Sequence, residues 1–171
     1  LQIEGIPTSD TNGLYGGTDA TDNSGSVQYL SIRHGGAEIG EGNEINGLTL
    51  GGVGSGTRIN HVEVLGNVDD GIEFFGGTVN ATNLLVWGQG DDAIDIDQAY
   101  AETIDGAMVI LTDASDHGFE VDGPEGSAAG SFTLKNVTVL GATKACSALG
   151  VNGEMADFRK AATGSLSNIL F

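Results

Sequence analysis

Two short phrases recur along this chain of 171 residues, and their spacing restricts the fold more than any other feature. The first reads Asn46-Gly47-Leu48-Thr49-Leu50, then Asp70-Gly71-Ile72-Glu73-Phe74, Asp92-Ala93-Ile94-Asp95-Ile96 and His117-Gly118-Phe119-Glu120-Val121, with a fainter copy at Ser147-Ala148-Leu149-Gly150-Val151. Its small second residue advances by 24, 22, 25 and 30 positions. The second phrase interleaves with the first: Leu30-Ser31-Ile32, Val62-Glu63-Val64, Leu84-Leu85-Val86, Ala107-Met108-Val109, Val137-Thr138-Val139 and Ile169-Leu170-Phe171, in steps of 32, 22, 23, 30 and 32. Two registers sharing a minimum period of 22 to 23 residues describe a coil that returns to the same place each lap. The longer laps loop out their surplus. This is the pattern of an all-β parallel solenoid, and no helical i, i+3, i+4, i+7 periodicity competes with it.

Strand alternation turns the phrases into faces, because residues two apart point to the same side. Leu48 and Leu50, Ile72 and Phe74, Ile94 and Ile96, and Phe119 and Val121 are expected to stack inward on successive laps about 4.8 Å apart. The turns between strands carry Gly, Asn and Asp, as at Gly66-Asn67, Gly76-Gly77 and Gly88-Gln89-Gly90, where positive φ or side-chain bonding to the backbone is needed. His61 occupies the position that Asn83, Asn136 and Asn168 hold on other laps, which predicts a corner role. The 29 glycines are therefore chiefly corner and strand-opening residues. Only Pro7 and Pro124 break the chain, so residues 1–171 read as one domain. The opening Leu1-Gln2-Ile3-Glu4-Gly5 already looks like domain interior and predicts a fragment of a longer protein.

Charge narrows the partners. With 24 acidic residues against 6 Lys and Arg, the formal charge is -18, so nucleic acid and anionic membranes are excluded as partners. Cations, glycans and other proteins remain. Cys146 is alone, which removes any disulfide framework, and no apolar run approaches the ~18 residues of a membrane-spanning helix.

The segment from Asn43 to Thr57, with Asp69-Asp70-Gly71-Ile72-Glu73-Phe74-Phe75-Gly76-Gly77-Thr78-Val79-Asn80, Asp91-Asp92-Ala93-Ile94-Asp95, Tyr15-Gly16-Gly17-Thr18-Asp19 and Asp22-Asn23-Ser24-Gly25, resembles a family of bacterial secreted right-handed parallel β-helix proteins. These are outer-surface proteins or lipoproteins of marine bacteria and Bacteroidetes, so the resemblance implies a pectate-lyase-like right-handed coil at the extracellular surface of a bacterium. It implies no particular reaction. A structural or adhesion module that contacts glycans or surface proteins is the first expectation.

The acids supply the sharpest chemistry. Placing the first phrase on stacked strands turns Thr49, Glu73, Asp95 and Glu120 outward, followed by Gly51, Phe75, Asp97 and Asp122 two residues later. Two carboxylates about 5 Å apart at an effective dielectric near 20 repel by roughly 3 kcal/mol, so the ladder needs relief. Corner residues Asp69, Asp70, Asp91 and Asp92 are expected to accept backbone N–H groups. Glu73, Asp95, Asp97, Glu120 and Asp122 either splay into water or share a hard cation such as Ca²⁺, which takes 6 to 8 oxygen ligands. The alternative expectation is enzymatic. Polygalacturonase-type hydrolases, which are also right-handed β-helices, resemble this chain at Gly90-Asp91-Asp92 and His117-Gly118, with Asp70 one lap earlier. That resemblance implies an inverting glycan hydrolase using Asp70, Asp91, Asp92 and His117. Their Arg-Ile-Lys segment has no counterpart after His117.

In the second phrase, Leu85, Trp87, Met108 and Ile110 face outward on neighbouring laps. Exposed together they form an apolar patch of a kind monomers seldom leave bare. Either a looped-out segment covers it, such as residues 122–131 or a short helix over 152–163, or the patch is an interface. Self-assembly through the patch or through the solenoid ends is a further expectation.

Overall fold

The computed structural model describes residues 1–3, 6–40, 45–124, 129–141 and 155–171. Six longer strands, β1 (Ser26–Arg33), β3 (Arg58–Leu65), β5 (Asn80–Trp87), β7 (Thr103–Ile110), β9 (Phe132–Leu140) and β11 (Gly164–Leu170), form one sheet in that order. Five shorter ones, β2 (Leu48–Gly51), β4 (Ile72–Phe75), β6 (Ile94–Asp97), β8 (Phe119–Val121) and β10 (Ala156–Phe158), form the other. Every pairing within the two sheets is parallel. Successive strands alternate between sheets, so each lap adds one strand to each, which is a parallel β-helix.

The register agrees with the two phrases. Leu30, Val62, Leu84, Ala107, Val137 and Ile169 pair in succession across the long sheet. Leu48, Ile72, Ile94 and Phe119 do so across the short one. The fifth lap differs from expectation. Ala156 pairs with Phe119, so the strand falls on Ala156–Phe158, and Ser147–Val151 lies outside the described residues. The interval of 37 positions from Phe119 to Ala156 and the weakly apolar alternation Ala156-Asp157-Phe158 hide this strand from a search for apolar pairs. The helix expected over 152–163 is overturned in its described part, which is β10 and a turn.

Each long strand carries one residue of left-handed backbone in its interior. Tyr29, His61, Asn83, Gly106, Asn136 and Asn168 all have φ between 52° and 80°, and the ladder pairing skips them. The left-handed region costs least for Gly and Asn, which explains why Asn dominates these positions. The side chains also bond from lap to lap: Asn83 Nδ2 donates to Asn60 Oδ1 at 3.0 Å, and Asn168 Nδ2 to Asn136 Oδ1 at 2.7 Å. His61 stacks on Tyr29 with ring centroids 4.7 Å apart.

The small residue of the first phrase has a steric cause. A Cβ on Gly71 would stand 2.3 Å from Val86 Cγ1 and 2.6 Å from the Ala93 carbonyl oxygen. The backbone thus passes directly against the next lap. Inside the coil, Ile72, Phe74, Ile94, Ile96, Phe119 and Val121 are fully buried and oppose Val62, Val64, Leu84, Val86 and Val109 from the long sheet. Outside the short sheet lies the N-terminal segment: Tyr15 tilts against Phe75 with ring centroids 6.0 Å apart, and Ile3 stands over Gly51. That cover decides the environment of the acids.

Candidate functional site

The outward ladder of the short sheet runs Thr49, Glu73, Asp95, Glu120 and Asp157 in direct register. Outward does not mean exposed. Glu73, Asp95, Asp97 and Asp122 are buried and Glu120 is half-buried, so splaying into water is closed to most of the ladder. A cavity of about 410 Å³ remains between the N-terminal residues Gln2, Ile3, Ile6 and Thr8 and the sheet residues Asp95, Asp97, Glu120 and Asp122, with Arg159 and Lys160 at its side.

These two cations are what the sequence pattern missed. The Arg159 N–H donates to the Val121 carbonyl at 2.9 Å, which sets the residue beside Asp122. Its guanidinium is bidentate on Asp122, with Nε to Oδ1 at 2.9 Å and Nη2 to Oδ2 at 3.2 Å, and Nη2 also contacts Glu120. Lys160 Nζ lies 2.5 Å from Asp122 Oδ2, and that carboxylate raises the Lys160 pKa above its usual value. Glu120 and Asp122 are therefore neutralised by side chains of the following lap. The register of β10 would have revealed this.

Two of the four corner acids, Asp70 and Asp92, accept backbone N–H groups. Asp70 Oδ1 accepts the Asp92 N–H at 2.9 Å, and Asp92 Oδ1 accepts the His117 N–H at 2.7 Å. Each carboxylate thus caps the equivalent backbone donor one lap on. Asp92 Oδ1 also meets His117 Nδ1 at 2.9 Å, and because an ionised carboxylate can only accept, Nδ1 is the donor. Glu120 lies 3.8 Å from the same Nδ1.

Of the four residues in the hydrolase expectation, Asp70, Asp92 and His117 are buried, and Asp91 alone is exposed. Asp91 has oxygens within 4.8 Å of those of Asp70 and Asp92. Partial burial, and then the carboxylates of Asp92, Asp69 and Asp116, push the Asp91 carboxyl up to about 6 against the pull of His117. The folded protein therefore holds this proton more tightly than the unfolded chain does. The resulting stabilisation is full below about pH 3.8 and is lost as the pH rises through about 6. In metal-free buffer the melting temperature should fall between pH 4 and 6.5, and Asp91→Asn should flatten that fall. A fluorimetric melting series checks it; an unchanged slope in the variant would refute the assignment.

Asp70, Glu73 and Asp95 form a second, deeper cluster, all buried and with carboxylate oxygens within 4.8 Å of one another. Burial comes first in raising the Asp70 and Asp95 pKa values well above the usual range, followed by Glu73 for Asp70, and by Asp70 and Glu73 for Asp95.

On the long sheet, Leu65, Trp87, Ile110 and Leu140 form one ladder and Leu85 with Met108 the next. Trp87 and Met108 are 47% and 42% exposed, while Leu85 and Ile110 are half-buried. Strand β10 belongs to the other sheet and does not cover them.

Fold and register place the chain in the parallel β-helix class. A family model described as a pectate-lyase-like β-helix domain matches residues 6–171, and the chain belongs to that family. No curated protein and no solved structure gives a match.

Proposed function

We propose that this domain is a non-catalytic, glycan-contacting module of an extracellular bacterial surface protein, with its binding site in the cavity beside β6 and β8. The carrying observation is the lining of that cavity, in which Asp95, Asp97, Glu120 and Asp122 stand with Arg159 and Lys160. Sugar hydroxyls both donate and accept, so paired carboxylates and a guanidinium offer them complementary partners. Membership of the pectate-lyase-like β-helix family fits a glycan-related surface module. The commitment of Asp70 and Asp92 to backbone N–H groups favours a binding role over hydrolysis.

Titration calorimetry against a panel of neutral and uronate-containing oligosaccharides tests the reading. At least one class should bind, and Arg159→Gln should weaken that binding about tenfold, the loss expected of roughly one charge-assisted hydrogen bond. Failure of every oligosaccharide to bind would overturn the proposal, as would release of new reducing ends.

A further inference from the structure

We propose that Asp70, Glu73 and Asp95 bind one hard divalent cation, Ca²⁺ by their chemistry, beneath the acidic face. Asp70 comes from the corner before β4, Glu73 from β4 and Asp95 from β6, so the site ties two laps together. Their oxygens lie within 4.8 Å of one another, about the span of two ligands on opposite sides of a Ca²⁺ ion at 2.3–2.6 Å. All donors are carboxylate oxygens, with no sulfur or imidazole among them, which selects a hard cation.

An independent observation points to the ligand. Asp95 is 91% buried, given its 9% exposure, yet its Oδ1 has no hydrogen-bond partner, and a carboxylate oxygen of Asp95 lies within 4.8 Å of one from each of the other two acids. A buried carboxylate oxygen normally acquires a donor, and neither Asp70 nor Asp95 pairs with a Lys or Arg among the described residues. The other acids of this sheet are relieved differently. Asp122 and Glu120 have Arg159 and Lys160, and Asp92 has His117. Asp70 uses Oδ1 to cap the Asp92 N–H, and Glu73 accepts from Asn46 Nδ2 through Oε2, so both carboxylates are anchored to the fold at the cluster.

This site stands independently of glycan binding and is read without a glycan. The whole domain is stripped with EDTA, exchanged into chelator-treated buffer and titrated with CaCl₂ by calorimetry and by thermal melting. One equivalent should bind, and the melting temperature should rise with Ca²⁺ concentration as mass action requires. Asp95→Asn and Glu73→Gln should each weaken Ca²⁺ binding at least tenfold, whereas Asp157→Asn, on the same ladder but outside the cluster, should keep it. Removing a charge from a crowded set relieves repulsion, so both site variants are expected to fold; circular dichroism verifies this, and either one suffices. Absence of a Ca²⁺ response in the parent protein overturns the proposal, as does an undiminished response in a folded site variant.

Discussion

Replacing Phe74 by alanine should destabilise the domain by about 3–5 kcal/mol, the range for deleting a fully buried aromatic ring. Phe74 is completely buried between Leu50 on the preceding lap and Ile96 on the next, and its ring tilts against Tyr100 with centroids 4.9 Å apart. Tyr100 is itself fixed, its hydroxyl donating to the Val79 carbonyl at 2.7 Å. The neighbours therefore have little freedom to collapse into the space. For a domain of this length the loss corresponds to a fall on the order of 10 °C in melting temperature. A solenoid is stabilised lap against lap, so hydrogen exchange should accelerate most in β2, β4 and β6 and least in β11. A fall below about 2 °C would mean that the ring is not enclosed as described.

The second large effect concerns Asp92, where two substitutions should part company. Asp92→Ala leaves the buried His117 N–H and Nδ1 donors without their acceptor, at about 1–3 kcal/mol for each unmet group. The expected loss is about 2–6 kcal/mol. Asp92→Asn retains an acceptor oxygen and removes a charge that raises the carboxyl pKa values of Asp70 and Asp91, so stability should stay within about 1 kcal/mol of the parent. The same change should bring the Asp91 pKa down from about 6, which an NMR titration would follow. Equal losses in the two variants would show that the charge of Asp92, rather than its hydrogen bonds, holds the corner.

The repeat was legible because its cause is local and periodic. Gly71 must be small to pass Val86, Ile72 and Phe74 must alternate inward, and Asn83 and Asn136 must tolerate positive φ, and each requirement returns at nearly the same interval. The four clear copies of the first phrase and all six of the second pair as their spacing predicts. The fifth short strand escapes the repeat because Ala156 offers little apolar signal and lies 37 positions after its partner Phe119. With it went Arg159 and Lys160, whose position depends on that strand. Trp87 and Met108 were legible as outward residues, and their exposure required knowing that β10 runs on the other sheet.

By itself, the sequence determined the coil: its lap length, its register, its inward ladders and the acids that would stand on one face. Those follow from side-chain alternation and from steric demands made within a lap or between adjacent laps. Only the tertiary structure decided how that acidity is relieved. The N-terminal segment folds over the short sheet and buries the ladder, Arg159 and Lys160 arrive from the end of β10, and Asp70, Glu73 and Asp95 are left sharing one pocket of oxygens. The physical reason is that solvation and pairing of a charge depend on what approaches it in space, and no period along the chain encodes that approach.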